Sequence, residues 1–148
     1  MLLALAHIGP RPHANDAFDG LVRLYLDRLA PFAQCEAQAH KTEDAFLKWL
    51  DRQTGRKPFV VLLDSRGKQM SSEAFASWLG ARRDSGVQHI VFAIGPASGW
   101  SETALSRAQL TLSFGPMTLA HALARVVLAE QIYRAYTILT GHPYHCGH

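Results

Sequence analysis

Short apolar runs and helically spaced apolar positions alternate along the chain. Leu2 to Ile8 reads as a buried strand ending at Gly9-Pro10, and Asp16 then caps a helix whose apolar positions Phe18, Leu21, Val22, Tyr25, Leu26 and Leu29 recur at helical spacing. Ala33 to His40 is a weaker second strand, after which Thr42 caps a helix carrying Phe46, Leu47 and Leu50 and Gly55 closes it. Pro58 to Leu63 is a continuous apolar run that ends in Asp64 and the turn Ser65-Arg66-Gly67-Lys68. Apolarity that does not alternate points to burial on both faces, as in a parallel sheet. A helix from about Ser72 to Arg83, a strand from His89 to Ile94, a short helix capped by Ser101 and a short strand from Leu110 to Ser113 follow. A long helix, capped by Thr118 and ended by Gly141, completes the series. The pattern predicts one three-layer α/β domain over residues 1–148. Such sheets bind ligands at the carboxyl ends of their strands, so the loops after Leu63, Ile94 and Ser113 are the first candidates for a site.

The last helix is apolar around much of its circumference, through Leu119, Leu123, Val126, Val127, Leu128, Ile132, Tyr133, Tyr136 and Leu139. Either it sits centrally in the domain or one face packs on a second subunit, and a homodimer is the economical expectation. Arg125, Glu130 and Arg134 interrupt that surface; Glu130 and Arg134 have the spacing of a helix-surface ion pair.

Composition narrows the class. The 148 residues are 48% apolar and 18% charged, enough for a hydrophobic core. The net charge of +3 neither demands nor excludes a nucleic-acid partner. Two cysteines far apart and an amino terminus without a basic leader fit a reducing, cytoplasmic setting, and no stretch has the ~20 nearly uncharged residues of a membrane span.

The candidate chemistry lies in the loops and the tail. Gly95 to Gly99 is not a dinucleotide fingerprint and, alone, is an ordinary strand-to-helix turn. Phe114-Gly115-Pro116-Met117 offers free backbone groups beside an apolar wall, which suits an adenine ring as well as it suits a plain buried connection. The tail His142-Pro143-Tyr144-His145-Cys146-Gly147-His148 tempts a metal reading, but no companion Cys/His cluster exists elsewhere, so no metal site is expected.

Taken in order, Leu63-Asp64 with Gly67-Lys68, Gly95…Gly99, Met117-Thr118-Leu119-Ala120-His121…Arg125-Val126, Glu130-Gln131-Ile132-Tyr133-Arg134-Ala135 and His142-Pro143-Tyr144-His145 resemble one family over essentially the whole chain. It is the ribosomal large-subunit pseudouridine N3-methyltransferases (RlmH), the minimal stand-alone SPOUT enzymes. The resemblance implies an α/β fold with a deep C-terminal trefoil knot and a homodimer. It also implies S-adenosyl-L-methionine as cofactor and 23S rRNA within the assembled ribosome as substrate. The cofactor contacts it implies are Leu63, Gly95, Phe114, Gly115, Pro116, Met117, Thr118 and Leu119, in the three loops picked out above. Arg134 matches a family arginine implicated in catalysis or substrate binding, and Tyr144 and His145 match the family tail. Which group, if any, accepts the proton is not legible in the sequence, and His145 is one candidate on pKa grounds alone. The family usually ends in Tyr-His and a cation, whereas Cys146-Gly147-His148 stand here. Alternatives are methylation of another rRNA or a tRNA site, a non-catalytic ribosome-binding protein, and a metal-dependent hydrolase.

Overall fold

In a computed structural model, which describes residues 1–146, the elements alternate along the chain. They are β1 (Leu2–Ile8), α1 (Ala17–Leu29), β2 (Gln34–His40), α2 (Glu43–Asp51), β3 (Phe59–Gln69), α3 (Ser72–Asp84), β4 (His89–Ile94), α4 (Glu102–Ser106), β5 (Leu110–Ser113) and α5 (His121–Thr140). Gly147 and His148, part of the tail that stands where the family usually has a cation, lie outside the described residues. The strands form one sheet in the order β2-β1-β4-β3-β5, and every pairing is parallel.

Side chains on successive strand residues point to opposite faces, so each strand feeds two cores. Leu3 and Leu5 of β1, Val61 of β3 and Phe92 of β4 pack under α1, α3 and α5. Ala4, Ala6 and Ile8, with Val60, Leu62 and Ala93, pack on the other face against Phe46 and Leu50 of α2 and Ala104 of α4. Three layers result, as the alternation of elements predicts. The caps at Asp16, Thr42 and Ser101 each accept a backbone N–H from the third residue on.

Five features differ from the expectation. Helix α2 ends at Asp51, with Arg52 as its cap, well before Gly55. Strand β3 does not stop at Asp64. It continues to Gln69, and Leu112 of β5 is in register with both Leu63 and Lys68. There the Gly67 backbone crosses β5 so closely that a Cβ would sit 2.6 Å from the Thr111 carbonyl, a space only glycine leaves free. Helix α5 begins at His121, and its cap, Ala120, makes no side-chain bond, so Thr118 stays in the loop instead of capping. Finally, α5 lies between α1 and α3, with Leu128, Ile132 and Tyr136 in their shared core. Its circumferential apolarity is thus satisfied largely within one chain, the central placement left open above. Arg125, expected on the helix surface, is buried and reaches Asp19 of α1 at 3.4 Å.

Candidate functional site

The loop from Phe114 to Ala120 leaves the sheet at its β5 edge, while α5 starts beside β4 and β1, two and three strands further in. There His121 meets His7 of β1 edge to face at 5.6 Å, and the carbonyls of Ile8 and Gly95 lie beside its ring. The loop therefore runs from the β5 edge toward Gly95 at the carboxyl end of β4. The Ser113 hydroxyl accepts from the Gly115 N–H at 3.0 Å and donates to the Gly115 carbonyl at 3.2 Å, pinning the first turn. Beyond that turn, from Pro116 to Leu119, no described residue takes up the loop's backbone groups. Met117 is 82% exposed. Free backbone groups beside exposed apolar side chains give an adenine ring both edge hydrogen bonds and face contacts.

Two of the expected contacts serve structure as well. The Trp100 indole N–H donates to the Leu63 carbonyl at 3.0 Å, and the ring lies on Gly95, where a Cβ would come within 2.8 Å of it. Gly95 is small because Trp100 covers it, a contact between two ends of one loop that spacing does not disclose.

Arg134, Tyr144 and His145 are brought together, as the resemblance implies. After Gly141 the tail folds back onto α5, and the Tyr144 ring packs edge to face on Tyr133 at 4.7 Å. Arg134 donates two bonds to Glu130 Oε1, at 2.9 and 2.6 Å, and its guanidinium lies over the Tyr144 ring at 4.9 Å. The Tyr144 hydroxyl donates to the same Glu130 oxygen at 3.0 Å. Burial and the Glu130 carboxylate push the Tyr144 pKa up, so the phenol stays protonated. His145 Nδ1 accepts from Arg134 at 2.9 Å, since a guanidinium has no lone pair to offer; its Nε2 therefore carries the hydrogen and donates to Glu73 of α3 at 2.8 Å. Both ring nitrogens of His145 are thus engaged in hydrogen bonds. Sequence reasoning missed Glu73, 72 positions away, and also Glu130's part as the acceptor shared by Arg134 and Tyr144.

A cleft of about 250 Å³ lies between the two groups, bounded by Met70, Ser72, Phe75, Phe114, Gly115 and Gln131. Gln131 donates to Glu130 and accepts from the Ser72 hydroxyl, so the cleft adjoins the arginine cluster on one side and the loop on the other. It does not include Leu63, Gly95 or residues 116–119. Among the described residues no group of three or more His, Cys, Asp and Glu is arranged to hold a metal, and no helix is long and apolar enough to cross a membrane.

Residues 1–145 match the family model described as "Predicted SPOUT methyltransferase". The chain belongs to the SPOUT methyltransferase family. The protein named ribosomal RNA large subunit methyltransferase H in Koribacter versatilis (strain Ellin345) is 52% identical over 134 residues, covering 90% of this chain and 92% of its own. A relative of the same name in Rhizobium etli (strain CIAT 652) is 45% identical over 127 residues, covering 84% and 78%. Among solved structures, a probable methylase family protein from Haemophilus influenzae Rd KW20 superposes with a TM-score of 0.59 at 10% identity, over 97% of this chain and 70% of that one. The SpoU methyltransferase AviRb from Streptomyces viridochromogenes, solved in complex with AdoMet, superposes at 0.51 with 13% identity. This SPOUT chain spans 90% of its own length but only 57% of AviRb in that match. At such identities the two structures speak for the fold alone. The family implies the C-terminal knot, and the doubled pairing of Leu112 with Gly67 pressed on Thr111 lies where β3, its continuation and β5 meet.

Proposed function

We propose that this protein methylates N3 of a pseudouridine in 23S rRNA of the assembled ribosome, using S-adenosyl-L-methionine, and that it works as a homodimer. The names of its relatives support the ribosomal substrate. The observation that carries the cofactor assignment is the unpartnered backbone from Pro116 to Leu119 beside the exposed Met117 side chain. When bound, the sulfonium cofactor supplies an already activated methyl group. The protein's task is then to align the target base and stabilise charge as the N3 proton leaves. Phe114, Gly115, Pro116, Met117, Thr118 and Leu119 hold the cofactor, with Leu63 and Gly95 forming the floor. Arg134 faces the developing negative charge, and Tyr144 and His145 hold its guanidinium in place.

Distance supports the homodimer. At ~1.5 Å per residue, Arg134 lies about 20 Å along α5 from His121, which sits beside Gly95. The cleft lined by Phe114, Gly115 and Gln131 joins the start of the loop to the arginine cluster within one chain, so a second copy would bring its arginine to the far part of the loop, residues 116–119. The surface for it is on α1, where Phe18, Leu21 and Leu24 share one exposed face at 40%, 44% and 41%.

Methylation of intact ribosomes, free subunits and tRNA, with mass-spectrometric mapping of the product, tests the substrate; methyl transfer to tRNA alone refutes it. Leu21→Glu/Leu24→Glu tests the assembly. It is expected to sediment as a folded, inactive monomer, and a fully active monomer overturns the homodimer.

A further inference from the structure

The end of the sheet opposite the methyl-transfer loops carries its own recessed surface. Two adjoining cavities of about 510 and 340 Å³ share Arg56, Gly86, Val87 and Gln88, and run between the loop before β3 and the turn before β4. Lys57 and Gln109 line the first, Arg83 the second, and neither lining contains an Asp or Glu. Arg82 stands beside this furrow with its guanidinium 5.8 Å from the Phe59 ring and 5.9 Å from the Trp78 ring, its Nε buried without a partner.

Among the described residues Arg56, Lys57 and Arg82 share a lack of carboxylate partners with Arg11, Arg28, Lys41, Arg52 and Lys68, and differ from them in being gathered along one furrow. Arg23, Lys48, Arg66, Arg107, Arg125 and Arg134 each pair with a carboxylate. Among the described residues Arg56, Lys57 and Arg82 pair with none, and Arg83 pairs only with its neighbour Asp84. Cations left unpaired along a furrow free of acids concentrate positive potential that an extended polyanion satisfies and a small neutral ligand does not. The aromatic pair under Arg82 holds its planar head in place, which reduces the entropy lost when it binds a phosphate.

We propose that this furrow is a second contact surface for the substrate RNA, gripping the phosphodiester backbone of a strand or helix that flanks the methylated nucleotide. Gln88 precedes β4 and Gly95 follows it, so the two surfaces stand about 20 Å apart at ~3.3 Å per strand residue. At that separation the furrow adds affinity and orientation without touching the reacting base. It therefore acts on capture of the ribosome and not on methyl transfer. The inference rests on the RNA-methylating reading given above.

The test uses the full chain with Arg56→Ala/Lys57→Ala, the swap Arg56→Lys/Lys57→Arg, and Lys48→Ala as a control cation already paired with Asp44. Steady-state methylation of ribosomes is measured over a range of KCl concentrations, beside direct binding of a labelled rRNA fragment. The alanine pair is expected to raise KM for ribosomes about tenfold at ~0.1 M salt and to reduce the slope of log affinity against log salt by ~1.5, with kcat and cofactor affinity unchanged. The swap and the control should track the unaltered protein. Unchanged KM and salt slope in the alanine pair overturn the proposal, as does a fall in kcat alone or a change in oligomeric state. Should the unaltered protein fail to methylate ribosomes, the functional reading falls separately, and the fragment's salt slope still decides whether the furrow binds RNA.

Discussion

The two ends of α5 are built on opposite plans. At its amino end the preceding loop leaves its backbone unpartnered from Pro116 to Leu119, His121 keeps a buried Nε2 with no partner among the described residues, and Arg125 has one long bond to Asp19. Toward its carboxyl end the polar groups are committed: Glu130 accepts from Arg134, Tyr144 and Gln131, and His145 bridges Arg134 to Glu73. An end with spare hydrogen-bonding capacity gains free energy when a ligand arrives. A saturated one must exchange partners, so it gains little affinity but presents its charge in a fixed place. The first plan suits a cofactor pocket, the second a catalytic cation.

Changing the floor of the open end should have the largest effect. Gly95→Leu places carbon where the Trp100 indole lies, which should abolish S-adenosylmethionine binding and also destabilise the fold by ~1–3 kcal/mol through overpacking. Calorimetric titration and thermal melting read the two losses. Normal cofactor affinity in a folded Gly95→Leu protein removes the pocket from this end of the helix.

Arg134→Ala comes next and tests the saturated end. Arg134 is three-quarters buried and also donates to His145 and lies over the Tyr144 ring, so its loss should cost ~1–3 kcal/mol of stability, read by thermal melting. Single-turnover methyl transfer should nevertheless fall a hundredfold or more, as when an oxyanion donor is removed, while cofactor affinity barely moves. Near-normal turnover makes the cluster a structural clasp for the tail, and a large loss of cofactor affinity means that the two ends are not separate in function.

The smallest expected effect is on the pH dependence of stability. Burial lowers the pKa of His7 and His121 at the open end, and of His40 and His89 elsewhere, below the usual 6.5. Above pH 6.5 these groups are neutral both folded and unfolded and contribute nothing. As the pH falls below 6.5 the unfolded chain takes up protons first, so stability declines until the folded pKa values are reached. The melting temperature should drop by a few degrees between pH ~7.5 and ~5.5. A flat profile over that range means that these rings are better solvated than their packing indicates.

The contrast between the ends was partly legible in the chain. Local signals mark the strands, the caps at Asp16, Thr42 and Ser101, and the turn at Gly141. The continuous apolar run to Leu63 announces the parallel sheet. The continuation of β3 was hidden because Ser65-Arg66-Gly67-Lys68 has turn composition, and only its partner Leu112, far along the chain, makes it a strand. The grouping of Arg134, Tyr144 and His145 came through the family resemblance, whereas Glu73 carries no periodic or motif signal that ties it to His145. The apolar girth of α5 suggested a second subunit, yet α1 and α3 supply most of its cover. The exposed apolar face on which the proposed dimer rests is on α1, where Phe18 and Leu21 read as ordinary amphipathic positions and Leu24 lies outside that apolar series.

The passage of Gly67 over Thr111 bears on how quickly the molecule can be made and unmade. Pairing Val61 with Leu110 already requires the chain to find a distant parallel partner, a slow kind of search. Where the backbones touch there is no room for a side chain to slip past, so residues 64–69 and β5 must settle together in one late event. The reverse path needs that same closure to open before any strand at this edge can peel away. Slow release of this edge is the expected result, read as protection of the β5 amides from hydrogen exchange, and persistence would then depend on a rate as well as on an equilibrium.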